Sequence, residues 1–195
     1  MGRLYVLRGS IRERRADVSN PDVRGDDQKY VERFHRVLVE VNGIFEDFRS
    51  RFSGESTPVH LFWHSFDLAL TRFSGKPATP RAGAGVVERE AYSHEVISFG
   101  FWFGDDKVPA PAFYSYTAPE PQGVADEPLV PVSAKWQESN GAHMALFMYE
   151  DARSAENPRD TILEFLESAY QAGARRANWN LKQFQIVKSA RASLE

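Results

Sequence analysis

Two histidines, an aspartate and an arginine fall inside one apolar run, PVHLFWHSFDLALTRFSG, from Pro58 to Gly75. A second run, REAYSHEVISFGFWFG, adds His94 and Glu95, and a third, AFYSYTAP, adds Tyr114 and Tyr116. Histidine titrates near neutrality and serves as an acid or base or as a metal ligand. A carboxylate beside it orients the ring. An arginine binds an anionic group, and a tyrosine hydroxyl donates a hydrogen bond. His94, His60 and Glu95 are therefore the candidate catalytic residues. Asp67, Arg72, Tyr114, Tyr116 and Trp63 are the candidate ligand-binding residues. A divalent metal held by His60 and His94 with a carboxylate is a variant of the same site.

The elements that carry these residues set limits on it. The run from Val59 to Phe73 reads as one strand, whose side chains alternate between faces. His60, Phe62, His64, Phe66, Leu68 and Leu70 then share one face, and Leu61, Trp63, Ser65, Asp67 and Ala69 the other. His60 and His64, four residues apart on a strand, lie about 13 Å from each other, too far to share one ion. A metal needs a partner from another strand, and His94 offers one. His94 and Glu95 point to opposite faces, so only one joins a given site. For each lone histidine the plainer reading is a structural hydrogen bond. For Asp67, Arg72 and Glu95 it is a structural ion pair.

The rest of the chain reads as follows. Residues 1–26 read as an N-terminal segment that is either a basic arm or carries a short strand from Leu4 to Leu7. From Asp27 the residues Tyr30, Phe34, Val37, Leu38, Val41, Ile44, Phe45, Phe48 and Phe52 recur at helical spacing. Asp26 or Asp27 suits the cap, and Gly43 suits close packing. Three strands follow, at 59–73, 89–104 and 112–119. Then comes a hairpin turning at Asn140-Gly141, the strongest short signal for one. Asn157 and Pro158 open a helix, capped and started as helices prefer, and a last helix runs from Leu181 toward Ala192. The GAGAG segment at 82–86 lacks the following helix that a phosphate loop needs. The order predicts an α+β fold: an antiparallel sheet of four to five strands, with an N-terminal helix and C-terminal helices packed on it, in a single domain over residues 27–195.

Composition narrows the function. The 195 residues carry a net charge of -3 and no cysteine. A disulfide, a thiolate nucleophile and a cysteine-held cluster are excluded. The charge gives no pull toward nucleic acid, and no run suits a bilayer span or a signal peptide, so a cytoplasmic protein is expected. The 14 phenylalanines, 7 tyrosines and 4 tryptophans supply a core or an aromatic-lined pocket.

Three blocks, FRSRFSGESTPVHLFWHSFDLALTRFSG, EAYSHEVISFGFWFG and AFYSYTAPEP, together with the closing YEDARSAENPRDTILEFLESAYQAGARRANW, resemble a bacterial family of unknown function, the domain-of-unknown-function 5996 family. The likeness runs from about Asp27 to Trp179. It implies no activity. It does imply that relatives carry a further N-terminal half rich in Trp and His, so that dimerisation could supply a missing surface here. It also implies a small residue at the place of His64, which leaves His60, Asp67, Arg72, His94 and Glu95 as the stronger candidates. Two functions remain open from sequence: a small-molecule pocket, metal-assisted or acid/base, and a binding or homodimeric assembly module in which the same residues form a buried network.

Overall fold

The computed structural model describes residues 23–63, 65–79, 83, 85, 93–105, 108–139 and 141–184. The expected strand at Leu4 to Leu7, His64, the first residues (89–92) of the expected strand 89–104 and the expected helix beyond Phe184 lie outside them, and residues 23–26 of the expected arm are already helical. Helix α1 spans Val23–Ser50. Asp26 and Asp27 therefore fall within it rather than capping it. Its apolar stripe, Val37, Val41, Ile44, Phe45 and Phe48, is fully buried or nearly so. Gly43 does not serve close packing, because a side chain there would meet open space.

Among the described residues six antiparallel strands follow, where four to five were expected: β1 (His60–Phe62), β2 (Asp67–Pro77), β3 (His94–Trp102), β4 (Ala112–Ala118), β5 (Lys135–Ser139) and β6 (Ala142–Met148). They form one sheet in the order β1-β2-β3-β4-β6-β5. Helix α2 (Tyr149–Ser154) continues directly from β6, and α3 (Pro158–Arg176) and α4 (Leu181–Phe184) close the described chain. Asn157 caps α3, its side chain accepting the backbone N–H of Asp160. The turn between β5 and β6 places Ser139 opposite Ala142, with Gly141 at φ 79°. That is the hairpin that Asn-Gly announces.

One expectation fails at a decisive place. The run from Val59 to Phe73 is not one strand. It folds back on itself, with Phe62 opposite Asp67 and the Phe66 N–H donating to the Phe62 carbonyl at 2.8 Å. No Gly, Pro or Asn marks this turn. Phe66 instead adopts φ 56°, an uncommon conformation for a bulky residue. Its ring rests 6.2 Å from Phe34 on α1 and 5.5 Å from Trp63. Tertiary contacts hold the turn.

The sheet has two unlike faces. Leu68, Leu70, Ile97, Phe99, Phe101, Phe113, Ala145 and Phe147 face the helices and share a core with α1 and α3. Phe48 meets Phe99 edge-on at 4.9 Å, and Phe165 meets Phe147 at 5.5 Å. Gly173 lets α3 approach, since a Cβ there would sit 2.1 Å from the Thr117 hydroxyl. The other face carries Val108, Ala112, Tyr114 and Leu146, with Trp102, Tyr116, Met144 and Met148 around them. This second cluster takes no residue from any described helix. Among the described residues, no helix is long and apolar enough to cross a membrane.

Candidate functional site

Strand pairing gathers the polar residues of the helix-free face into adjacent rows. His60 lies opposite Ala69, Ala69 opposite Gly100, and Gly100 opposite Tyr114. Residues directly opposite one another share a face. Gly100 is the reason the row can hold a tyrosine lying flat. A Cβ at that position would stand 2.2 Å from Tyr114 Cζ and 2.3 Å from its hydroxyl. The ring of Tyr114 thus lies across β3. Its hydroxyl reaches β2 and donates to Asp67 Oδ2. Ser65, in the hairpin turn, donates to the other oxygen, Oδ1. Asp67 is 6% exposed and Tyr114 8%. The carboxylate is therefore held from two sides by hydroxyls in a largely water-free setting.

Around this centre stand Trp102, with its ring 5.0 Å from Tyr114, and Tyr116, stacked on Tyr114 at 6.2 Å with only 10° between the planes. The indole N–H of Trp102 is buried with no acceptor. Thr71 and Ser98 hold each other through their hydroxyls at 2.8 Å. His60 is fixed by its Nδ1, 2.9 Å from the Pro58 carbonyl, and by its ring, 4.5 Å from Phe62. A carbonyl only accepts, so Nδ1 carries the proton and Nε2 is left as the acceptor in the neutral ring. Asp67 lies two residues from His60's partner Ala69, a diagonal spacing of about 7–8 Å across a strand pair. An acceptor nitrogen, a buried carboxylate and three aromatic rings therefore share one face. That set can bind a small molecule and exchange a proton with it.

Of the residues singled out from sequence, His60, Asp67, Tyr114 and Tyr116 meet here. The other four stand elsewhere. Arg72 projects from the opposite face of β2 into the core, 1% exposed. Its guanidinium donates to the Phe48 carbonyl at 2.6 Å, in the last turn of α1. It packs over the rings of Phe48, Tyr170 and Phe52 at 3.7, 4.5 and 4.8 Å. Burial pulls its pKa down to about 10, still well above neutrality, so it remains a cation. The cation is accommodated by the negative end of the helix and by π faces. It neither pairs with Asp67 nor reaches a ligand on the helix-free face.

Glu95 also lies on the helix side and accepts the indole N–H of Trp179 at 2.9 Å. Its partner is neither Arg72 nor Asp67. His94 is exposed at the far end of β3, opposite Pro77 and beside the Ser93 hydroxyl at 3.1 Å. Trp63 sits at the hairpin turn and is 82% exposed. The metal variant fails on register. His94 precedes Gly100 by six residues, and Gly100 is level with His60, so the two histidines stand about 20 Å apart along the strands. Among the described residues, no group of three or more His, Asp or Glu is placed to hold a metal ion.

Sequence reasoning passed over Ser65, Ser98, Gly100 and Trp102. One signal was available: the glycine inside the aromatic strand ISFGFW marks a close approach. A further pair joins the sheet to the segment after β4. His143 Nδ1 is 2.8 Å from Glu120 Oε1, and its backbone N–H donates to Glu120 Oε2. The hydrogen bond to Glu120 is the largest cause that raises the His143 pKa above the ordinary histidine value. A raised pKa makes the pair's contribution present in acid, and it is lost as the pH rises through the folded value. The ring protons of His143 are expected to titrate above the free-histidine midpoint by NMR and to fall toward it in Glu120→Gln.

No match to the chain is found among curated proteins or solved structures. A family profile does match, over residues 21–186. That span takes in the whole sheet, its helices and every residue of the helix-free cluster, and the chain belongs to this family of unknown function, DUF5996.

Proposed function

We propose that the helix-free face is a small-molecule site, with Asp67 as its polar anchor and His60 as the group that accepts a proton from the ligand. One observation carries the reading: a buried carboxylate, fixed by two hydroxyls, on the only sheet face that no described helix covers. A carboxylate costs free energy to bury, and a purely structural face has no need of one. Tyr114 and Ser65 position Asp67, while Tyr116 and Trp102 line the ligand. His60 Nε2 acts as the base.

Assembly is the second reading, and it has its own observation. Phe62, Trp63 and Phe66 at the hairpin are 48%, 82% and 43% exposed, and large exposed apolar side chains clustered together mark contact surfaces. One experiment separates the two. The ¹⁵N-labelled protein is titrated with small amines, alcohols and carboxylic acids, and its spectrum is also recorded at rising protein concentration. Ligand binding is expected to shift Asp67, Ser98, Gly100 and the Trp102 indole N–H together, and Asp67→Asn weakens the binding that produces the shifts. If no compound moves them, and only the signals of residues 61–66 change with concentration, assembly is the function and the pocket reading falls.

A further inference from the structure

Building on the ligand site just proposed, we infer that its ligand carries a cationic amine. The argument starts from charge. Asp67 receives hydrogen bonds from two neutral hydroxyls, Ser65 and Tyr114. Among the described residues no lysine, arginine or histidine forms an ion pair with it. Among the described residues, this buried carboxyl group has no cationic partner.

Among the described residues, the cations of the neighbouring strands are engaged or remote. Arg72, on the same strand, points the other way and is bound to the Phe48 carbonyl. Lys76 donates to the Asn178 carbonyl at 2.8 Å. Lys135 stands on β5, four strand positions from β2, or about 19 Å across the sheet. His60 holds its ring proton on Pro58.

The neighbours of Asp67 are the second element. Continuing the pairing of Leu68 with Phe101 by one residue sets Trp102 beside Asp67. Trp102 lies against Tyr114, which is stacked on Tyr116. Aromatic faces attract cations through their quadrupoles, and tryptophan does so most strongly. A carboxylate and three such rings on one face favour an ammonium group over a neutral one. They disfavour an anion, which would meet Asp67 with no cationic partner among the described residues.

The test uses three probes of one length: n-butylammonium, 1-butanol and butyrate, each titrated into the labelled protein at a pH where histidine is neutral. The expected result is saturable movement of the Trp102 indole N–H by butylammonium, with an affinity at least about tenfold above that of 1-butanol and no response to butyrate. Asp67→Asn should reduce the preference to about twofold or less, and Asp67→Glu should retain it. The rest of the spectrum reports whether each variant is folded. Equal or tighter binding of 1-butanol or butyrate overturns the inference but leaves the ligand site standing. Silence of this face to all three probes also overturns it. Only silence to the whole set of amines, alcohols and acids removes the site itself.

Discussion

Replacing Arg72 with alanine is expected to lower the unfolding free energy by about 3 kcal/mol, read from urea unfolding. Two losses combine. The long side chain fills the space between Phe48, Phe52, Phe99 and Tyr170, and alanine leaves a cavity there. The Phe48 carbonyl also loses the donor it has at 2.6 Å and keeps only the longer bond from the Arg51 backbone N–H at 3.3 Å, so a charge-assisted hydrogen bond is lost from the core. Arg72→Met separates these effects from the charge. Methionine keeps most of the volume and removes a desolvated cation, so its loss should stay below about 1.5 kcal/mol. An arginine that bound a ligand at the surface would show the opposite pattern, with stability unchanged in both variants and ligand affinity lost. The guanidinium Nε, buried and without an acceptor, marks the site as one where packing outweighs full hydrogen bonding.

Gly100→Ala is the second large effect. The added methyl carbon would stand 2.2 Å from Tyr114 Cζ, well inside van der Waals contact. The ring cannot slide aside freely, because its hydroxyl is tied to Asp67 and its plane lies between Trp102 and Tyr116. An overpacked core of this kind costs about 2–3 kcal/mol. The substitution should also break the bond between Tyr114 and Asp67, so the Asp67 and Ser65 signals move in the NMR spectrum. A double-mutant cycle supplies the control. In a Tyr114→Ala background the clash is gone, and Gly100→Ala should then cost less than about 0.5 kcal/mol. Equal costs in the two backgrounds would show that the glycine serves backbone conformation and not the tyrosine.

The helical parts of this fold were legible because their signals are local. The stripe from Val37 to Phe48 reports its own burial through its spacing, and Asn157-Pro158 announces a helix start. Asn140-Gly141 announces a turn, since few other pairs adopt its backbone. The turn between Phe62 and Asp67 had no such announcement. It is made by Phe66 packing on Phe34, a contact between residues far apart in sequence. Missing it moved His60 to the wrong face, because side chains alternate and the fold-back changes which residues stand together. With the turn in place, His60 joins Asp67, and the residues of the site become neighbours.

By itself, the sequence determined the classes of element, their order and the residue types available for chemistry. It also carried the family, since the matching blocks are long. Tertiary structure alone decided which polar residues meet. Asp67 and Arg72 sit five residues apart on one strand, and parity sends them to opposite faces. Which face the helices then cover depends on the contacts of α1 and α3 with the distant strands β3, β4 and β6. Those contacts buried Arg72 in the core and left Asp67, with Tyr114 laid over Gly100, on the face without a helix. The physical reason is one of range. Periodicity and capping act over a few residues, whereas strand register and the choice of covered face are settled by packing between segments that the chain brings together only when it folds.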